Sequence, residues 1–426
     1  MKRLFSFGKG LSITKSDLVE SGQPVISYGQ IHSKQNPGTH VEDCLLRYVP
    51  QTYINENDGA AVSPGDFIFA DTSEDLAGCG NAVYVDKESI YAGYHTVILR
   101  SRRERSNNKY LAYLFLTDLW RSQIRSMVFG VKVYSITRSA LSQTSLIIPP
   151  TSEQEVIASY LDNKVGQIDS LIDEKERQMK ELQQYRVSLI SETVTRGLNP
   201  DVKMKESGVE WLGRIPEHWE VVELKKLLSE KLKYGASEQG TAYDESLPRY
   251  IRITDFDSNG RLKEENKLSL PFEKAKDYLL ENNDVLFARS GATVGKSFIF
   301  LVDDHTDKVC CFAGYLIRAK CDSSKLLPMF LFSYTNSYSF GNWKNMIATK
   351  ATIENISADK YATLPIPVPP LSEQQAIASF LDDKTARIDS TMKELETQIA
   401  DLRCYKTSVI TEAVTGKVDV RQWKQT

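Results

Sequence analysis

Residues 151–195 align without a gap to residues 371–415 at a constant offset of 220, and 22 of the 45 positions are identical. The first copy opens TSEQEVIASYLDNKVGQIDS and the second LSEQQAIASFLDDKTARIDS; they close YRVSLISETVTRG and YKTSVITEAVTGK. So many matches at one offset mark a duplication, and a duplication fixes the building unit before any element is assigned.

Each copy reads as one long helix. Pro149-Pro150 and Pro369-Pro370 end whatever precedes, because proline restricts its neighbour and lacks an amide proton. Ser152 with Glu155, and Ser372 with Gln375, have the spacing of a capping box. Neither copy contains a proline beyond its start, and Gly166 is the sole glycine in the two. The apolar residues then recur every seven. One line holds Leu161, Ile168, Lys175, Leu182 and Leu189, and a second holds Val165, Ile172, Met179 and Arg186. The corresponding lines of the second copy are Leu381, Ile388, Leu395, Leu402, Val409 and Thr385, Met392, Ile399, Lys406. Alternating steps of three and four put both lines on one helix face, the seam of a coiled coil. At ~1.5 Å per residue each helix spans roughly 60 Å. Lys175, Arg186 and Lys406 interrupt the seams but can lay their aliphatic stems along them. Each seam is the natural partner of the other. The heptads leave parallel and antiparallel pairing open, and the chain between the copies is long enough for either.

Upstream of each helix lies a mixed segment, 1–150 and about 210–370. Strands are expected at Val25–Tyr28, Phe67–Ala70, Ala82–Val85 and Thr96–Leu99, then at Tyr250–Ile253, Val285–Ala288, Ser297–Leu301 and Tyr315–Ile317. A hairpin turn is expected at 257–260. Helices are expected at Tyr110–Ser126 and Pro328–Asn336. A fainter repeat runs through these segments: GDFIFA at 65–70 matches NDVLFA at 283–288, and Ala92-Gly93-Tyr94 matches Ala313-Gly314-Tyr315. The linking helices are thus nearly half identical while the heads have diverged. One asymmetry stands out. Residues 207–228, SGVEWLGRIPEHWEVVELKKLL, lead into the second head and have no counterpart before the first. Either the C-terminal tail closes the first head or the true start lies upstream.

The 53 basic against 56 acidic residues give a net charge of −3, so any nucleic-acid partner has to meet local basic surface. Residues 1–150 hold 16 Lys/Arg against 14 Asp/Glu, and 151–206 hold 8 against 11. Six cysteines lie scattered without a CxxC pair, which fits reduced thiols better than a zinc site. No apolar run reaches the length of a membrane span, and no signal peptide is read at the start.

Catalytic signatures are missing: no HExxH, no GxSxG, no dinucleotide fingerprint and no methylating Asn/Asp-Pro-Pro-aromatic motif. RSGATVGKS at 289–297 falls one residue short of a P-loop, since only three residues separate Gly291 from Gly295. As a glycine-rich loop bearing Arg289 and Lys296 it suits DNA phosphates or bases better. Arg100, Arg102, Arg103, Arg105 and Lys109 form a basic run able to track a phosphate backbone. Arg125, Lys132 and Arg138 near the end of the first head, and Asn342, Lys344 and Lys350 near the end of the second, are side chains suited to base edges or phosphates.

Taken together, GLSITKSDL with PVISYGQIHSK, SGVEWLGRIPEHWEV, DVLFARSGATVGKS, PPTSEQEVIASYLD and PPLSEQQAIASFLD resemble the specificity subunit of type I restriction–modification systems across the whole chain. That resemblance implies an α+β fold: two mixed α/β target-recognition domains joined by two long helices that pair as an antiparallel, pseudo-twofold coiled coil. Residues 1–150 correspond to the first recognition domain and 151–200 to the central spacer helix. Residues 201–370 correspond to the second domain with its lead-in, and 371–426 to the distal helix and tail. It further implies a cytoplasmic, non-catalytic protein that reads a bipartite sequence in double-stranded DNA. The expected partners are two methyltransferase (modification) subunits and restriction/translocase subunits. This chain would hold no cofactor or metal; S-adenosylmethionine, ATP and Mg2+ belong to those partners.

Overall fold

The computed structural model describes residues 1–55, 58–102, 108–256, 260, 262–304, 306–307, 309–347 and 355–423. The chain divides into two compact units, one of residues 1–176 with 396–426, the other of 177–395. The long helices Thr151–Arg196 and Leu371–Val414 therefore each contribute one end to each unit.

In the first unit a four-stranded antiparallel sheet runs in the order Phe5–Lys9, Thr96–Ser101, Phe67–Ala70, Ala82–Tyr84. Phe67–Ala70 is a continuous apolar run, buried at all four positions, as a strand covered on both faces must be. A second sheet contains the parallel pair Gln23–Ile26 and Ile90–Ala92. In the second unit the sheet order is Lys233–Tyr234, Leu316–Ala319, Val285–Ala288, Ser297–Ile299, and a second sheet holds the parallel pair Arg249–Ile251 and Cys310–Phe312. The two heads thus share one strand order in spite of their divergence. Even the turn entering the central strand is repeated: Gly65 and Asn283 both have positive φ (100° and 72°), and the Asp66 and Asp284 carboxylates accept from the amides of Ser63 and Glu281. The expected turn at 257–260 falls largely outside the described residues.

The helix expected over Tyr110–Ser126 is broken. Lys109–Leu116 and Asp118–Arg125 are separated by Thr117, whose extended backbone (ψ 144°) starts the second helix and whose Oγ1 accepts from the Trp120 amide at 3.3 Å. Ser337 does the same for Phe340, and Thr137 and Ser357 cap the next helices, so the offset of 220 extends back from the long helices to residue 117.

Ser152 and Ser372 do not cap the long helices, which begin at Thr151 and Leu371 with Pro150 and Pro370 supplying the first acceptor carbonyls. Glutamine makes the anchor instead. The Gln154 amide donates to Pro149 O at 2.8 Å. Gln374, fully buried, donates to the carbonyls of Pro369 and Lys325 at 2.9 Å each and accepts from the Leu327 amide at 2.8 Å.

Pairing of the long helices is antiparallel within each unit. In the first, Lys406 Nζ donates to Asp169, Arg403 pairs with Glu176 and Lys175 Nζ meets Gln398. In the second, Arg186 Nε meets Asp389 Oδ1 at 2.9 Å. Leu161, Ile168, Ile172, Leu381, Ile388 and Leu395 are buried along the seam, while Leu182, Leu189 and Leu402 are half-buried. Each buried leucine or isoleucine contributes ~1.5–3 kcal/mol.

The helices also join the cores of the heads. Ile190, Val194, Ile377 and Leu381 pack with Trp219, Trp343 and Phe287. Trp219, from the lead-in, donates Nε1 to Glu373 at 3.0 Å and lies against Gly197 (φ 78°), where a Cβ would meet the indole at 3.2 Å. In the first unit it is the C-terminal tail that packs down: Val420 is buried, Trp423 sits edge-on to Tyr160 at 5.9 Å, and the Tyr110 hydroxyl donates to Val414 O at 3.0 Å.

Candidate nucleic-acid interface

In the second head the central strand, Val285–Ala288, leads directly into Arg289. Its amide donates to Tyr315 O at 3.0 Å, and its guanidinium lies 4.9 Å from the centre of the Tyr234 ring. Such cation–π stacking pre-orients an arginine, and the guanidinium Nε is shielded from solvent without a hydrogen-bond partner among the described residues. The glycine loop follows. Gly295 (φ 81°) donates to Ala288 O at 3.0 Å, and a Cβ on it would lie 2.3 Å from Lys344 Cδ. The lysine stem therefore crosses the loop, which brings Arg289, exposed Lys296 and half-buried Lys344 to one edge. Asn342 is exposed on the same helix, Tyr338–Ile347, and Tyr315 is 65% exposed beside Arg289. A strand, Ser297–Ile299, follows the loop where a P-loop requires a helix. Lys350 lies outside the described residues.

The equivalent edge of the first head is the end of Phe67–Ala70, and Asp71 stands where the second head has Arg289. The main chain makes the match: Ile136 N donates to Asp71 O at 2.7 Å and Ile356 N to Arg289 O at 2.8 Å. Asp71 Oδ1 is 3.3 Å from His95 Nδ1. Tyr28 then gathers Tyr94, His95 and His32 at ring distances of 5.6, 5.5 and 6.2 Å. Sequence reasoning passed over this aromatic and histidine cluster because its members are distant in the chain. The signal available was the GDFIFA/NDVLFA match, which read one residue further sets Asp71 against Arg289.

The basic run of the first head lies elsewhere. Strand Thr96–Ser101 pairs Thr96 with Ala70 and Leu99 with Phe67, so Arg100 and Arg102 stand at the opposite end of the sheet from Asp71. Arg100 donates to the carbonyls of Gly59 and Ala61 at 2.6 and 2.7 Å, and Arg102 Nε donates to Phe5 O at 3.1 Å. Arg125 is ion-paired with Asp118, and Lys109 lies 3.5 Å from Asp162. These side chains brace the domain. Lys132 is exposed on a loop; Arg103 and Arg105 lie outside the described residues.

Among the described residues no cluster of His, Cys, Asp and Glu is arranged to hold a metal ion, and no helix is long and apolar enough to cross a membrane. The six cysteines are free, and burial pushes the thiols of Cys310, Cys311 and Cys321 up to about 12, which leaves them protonated and unreactive.

The family model for the type I restriction modification DNA specificity domain matches residues 2–181 and 216–400. The chain belongs to this specificity family. Among its relatives, the type I restriction enzyme StySPI specificity subunit of Salmonella potsdam is 23% identical over 384 residues, 89% of this chain and 80% of that one. A putative type I restriction enzyme MjaX specificity subunit of Methanocaldococcus jannaschii is 26% identical over 369 residues, 84% of this chain and 79% of that one. A chain solved in work on complex assembly and conformational transition of the type I R-M system matches with a TM-score of 0.71 and 17% identity, over 98% of this chain and 97% of that one. That likeness speaks to the fold. Each matched segment of this specificity subunit takes in one head and part of the long helix that follows it.

Proposed function

We propose that this specificity subunit reads a bipartite sequence in double-stranded DNA, one half-site per head, and performs no chemistry itself. The observation that carries this reading is the pair Asp71 and Arg289: the same main-chain position, at the end of the same strand in the same sheet order, bears opposite charge in the two heads. An arginine donates to guanine O6 and N7, whereas a carboxylate accepts from cytosine N4, so two such edges select different bases. Tyr315 and Lys344 flank the first chemistry; His95 and Tyr94 flank the second.

The reading extends to partners. The polar outer faces of the long helices suit two modification subunits, and restriction subunits would join that complex in the cytoplasm. Those partners would bring S-adenosylmethionine, ATP and Mg2+. Co-expression with the modification subunits, followed by genome-wide mapping of methyladenine, tests the proposal. The expected result is a split motif with unspecified bases between its halves, and exchange of residues around Asp71 should alter one half alone. Methylation that is independent of this chain, or a single continuous motif, overturns it.

A further inference from the structure

The loop between helix Asp118–Arg125 and strand Tyr134–Ser135 exposes Phe129 (86%), Val131 (97%) and Val133 (53%). Three large apolar side chains within five residues lie in water although burial favours each by ~1.5–3 kcal/mol. This is a built presentation. Phe129 bridges Ser135 in antiparallel fashion, Tyr134 and Ser135 pair with Ser73 and Thr72, and Ile136 is buried beneath. Gly130 makes the tip tight, since a Cβ on it would lie 2.2 Å from Val133 O. Because Ile136 N is bonded to Asp71 O, the tip springs from the strand end that carries Asp71 and His95.

Charge decides what such a tip meets. Between Asp118 and Glu153 the chain has no carboxylate, but it has Arg121, Arg125, Lys132 and Arg138. Lys132 in the tip and Arg138 at its foot are exposed and form no ion pair among the described residues. Asp71, Glu74 and Asp75 flank the strand with which Tyr134 and Ser135 pair, so acids lie at the foot of the loop, while the tip itself carries only Lys132. An apolar tip with its own cation, rooted at the strand end proposed to read bases, matches a DNA base step flanked by phosphates, where apolar side chains enter and unstack the bases.

We propose that Phe129 and Val131 insert between base pairs at or beside the half-site of the first head, with Lys132 on a neighbouring phosphate. The inference rests on the DNA-reading function and adds to it a mode of contact. The test uses the complete modification complex and a duplex carrying the site found by methyladenine mapping, with 2-aminopurine placed at successive positions across both halves. The unsubstituted complex should raise 2-aminopurine fluorescence several-fold at one step. Phe129→Ala with Val131→Ala should abolish that rise and weaken binding about tenfold or more, the scale of one lost stacking contact. Lys132→Ala should weaken binding and keep the fluorescence. No rise at any position, or an unchanged rise in the double variant, overturns the wedge while leaving DNA reading intact. Loss of subunit assembly at unchanged duplex affinity makes the tip a protein contact and equally overturns it. A complex that binds no duplex at the mapped site instead sinks the DNA-reading function itself.

Discussion

Arg186 Nε donates to Asp389 Oδ1 at 2.9 Å, and Lys406, placed 220 residues after Arg186, donates to both oxygens of Asp169 at 2.7 and 2.8 Å. The same cross-helix pair is made twice. Had the duplicated helices paired in parallel and in register, each residue would face its own copy, Arg186 against Lys406 and Asp169 against Asp389. Antiparallel pairing converts two like-charge clashes into two attractions, so these four residues select the direction that the apolar seam leaves undecided.

Asp389→Ala should therefore destabilise the protein by about 1–3 kcal/mol, because Arg186 is left part-buried without its carboxylate. The exchange Arg186→Asp with Asp389→Arg should recover most of that loss. A double-mutant cycle by denaturant unfolding measures the coupling, and additive effects would remove the pair from the account.

Arg289→Ala and Lys344→Ala should each weaken binding of cognate duplex by ~1–3 kcal/mol if they reach base edges, and Arg289→Ala should also relax specificity at one position of one half-site. A residue that contacts phosphate alone should reduce the salt slope and leave the motif unchanged. Titration of the modification complex at two salt concentrations separates the cases; affinity unchanged at physiological salt would take that residue off the reading edge.

Burial raises the Asp284 carboxyl to about 6, against the pull of the Glu281 amide and the Arg318 guanidinium 3.7 Å away. The folded state thus holds this proton more tightly than the unfolded chain. The stability it contributes is fully present below the ordinary aspartate value and is lost as pH rises through about 6. Asp284→Asn should then be relatively more stabilising at pH 8 than at pH 4. Thermal melts of both proteins across that range check the sign, and parallel curves would contradict it.

Removing one heptad from each long helix, at positions that face one another, should shorten the run of unspecified bases in the methylated motif. Methyladenine mapping gives the spacing directly. An unchanged spacer would separate the helices from any measuring role.

Much of this fold was legible in the sequence. Phe67–Ala70 and Val285–Ala288 are read to the residue, because an unbroken apolar run bounded by turns has one solution. Thr117 escaped notice because a threonine inside a helical pattern looks the same whether it continues the helix or caps the next one. Helix direction was written in Asp169, Arg186, Asp389 and Lys406, but only as relations between residues some 200 positions apart. The candidate edges were half legible: the glycine loop marked Arg289 and Lys296, while the basic run from Arg100 drew attention to the far end of the sheet. Charge density is visible in a sequence, and strand register is not.

Gln374 has a mechanical consequence. Its three hydrogen bonds tie the first turn of the distal helix to Pro369, Lys325 and Leu327 at a site closed to water. To swivel the second head about that helix axis, all three would have to break with no solvent to replace them, so the side chain acts as a key in a shaft. Torque applied to the helix by a bound subunit would therefore pass through these bonds into the second head at Lys325 and Leu327.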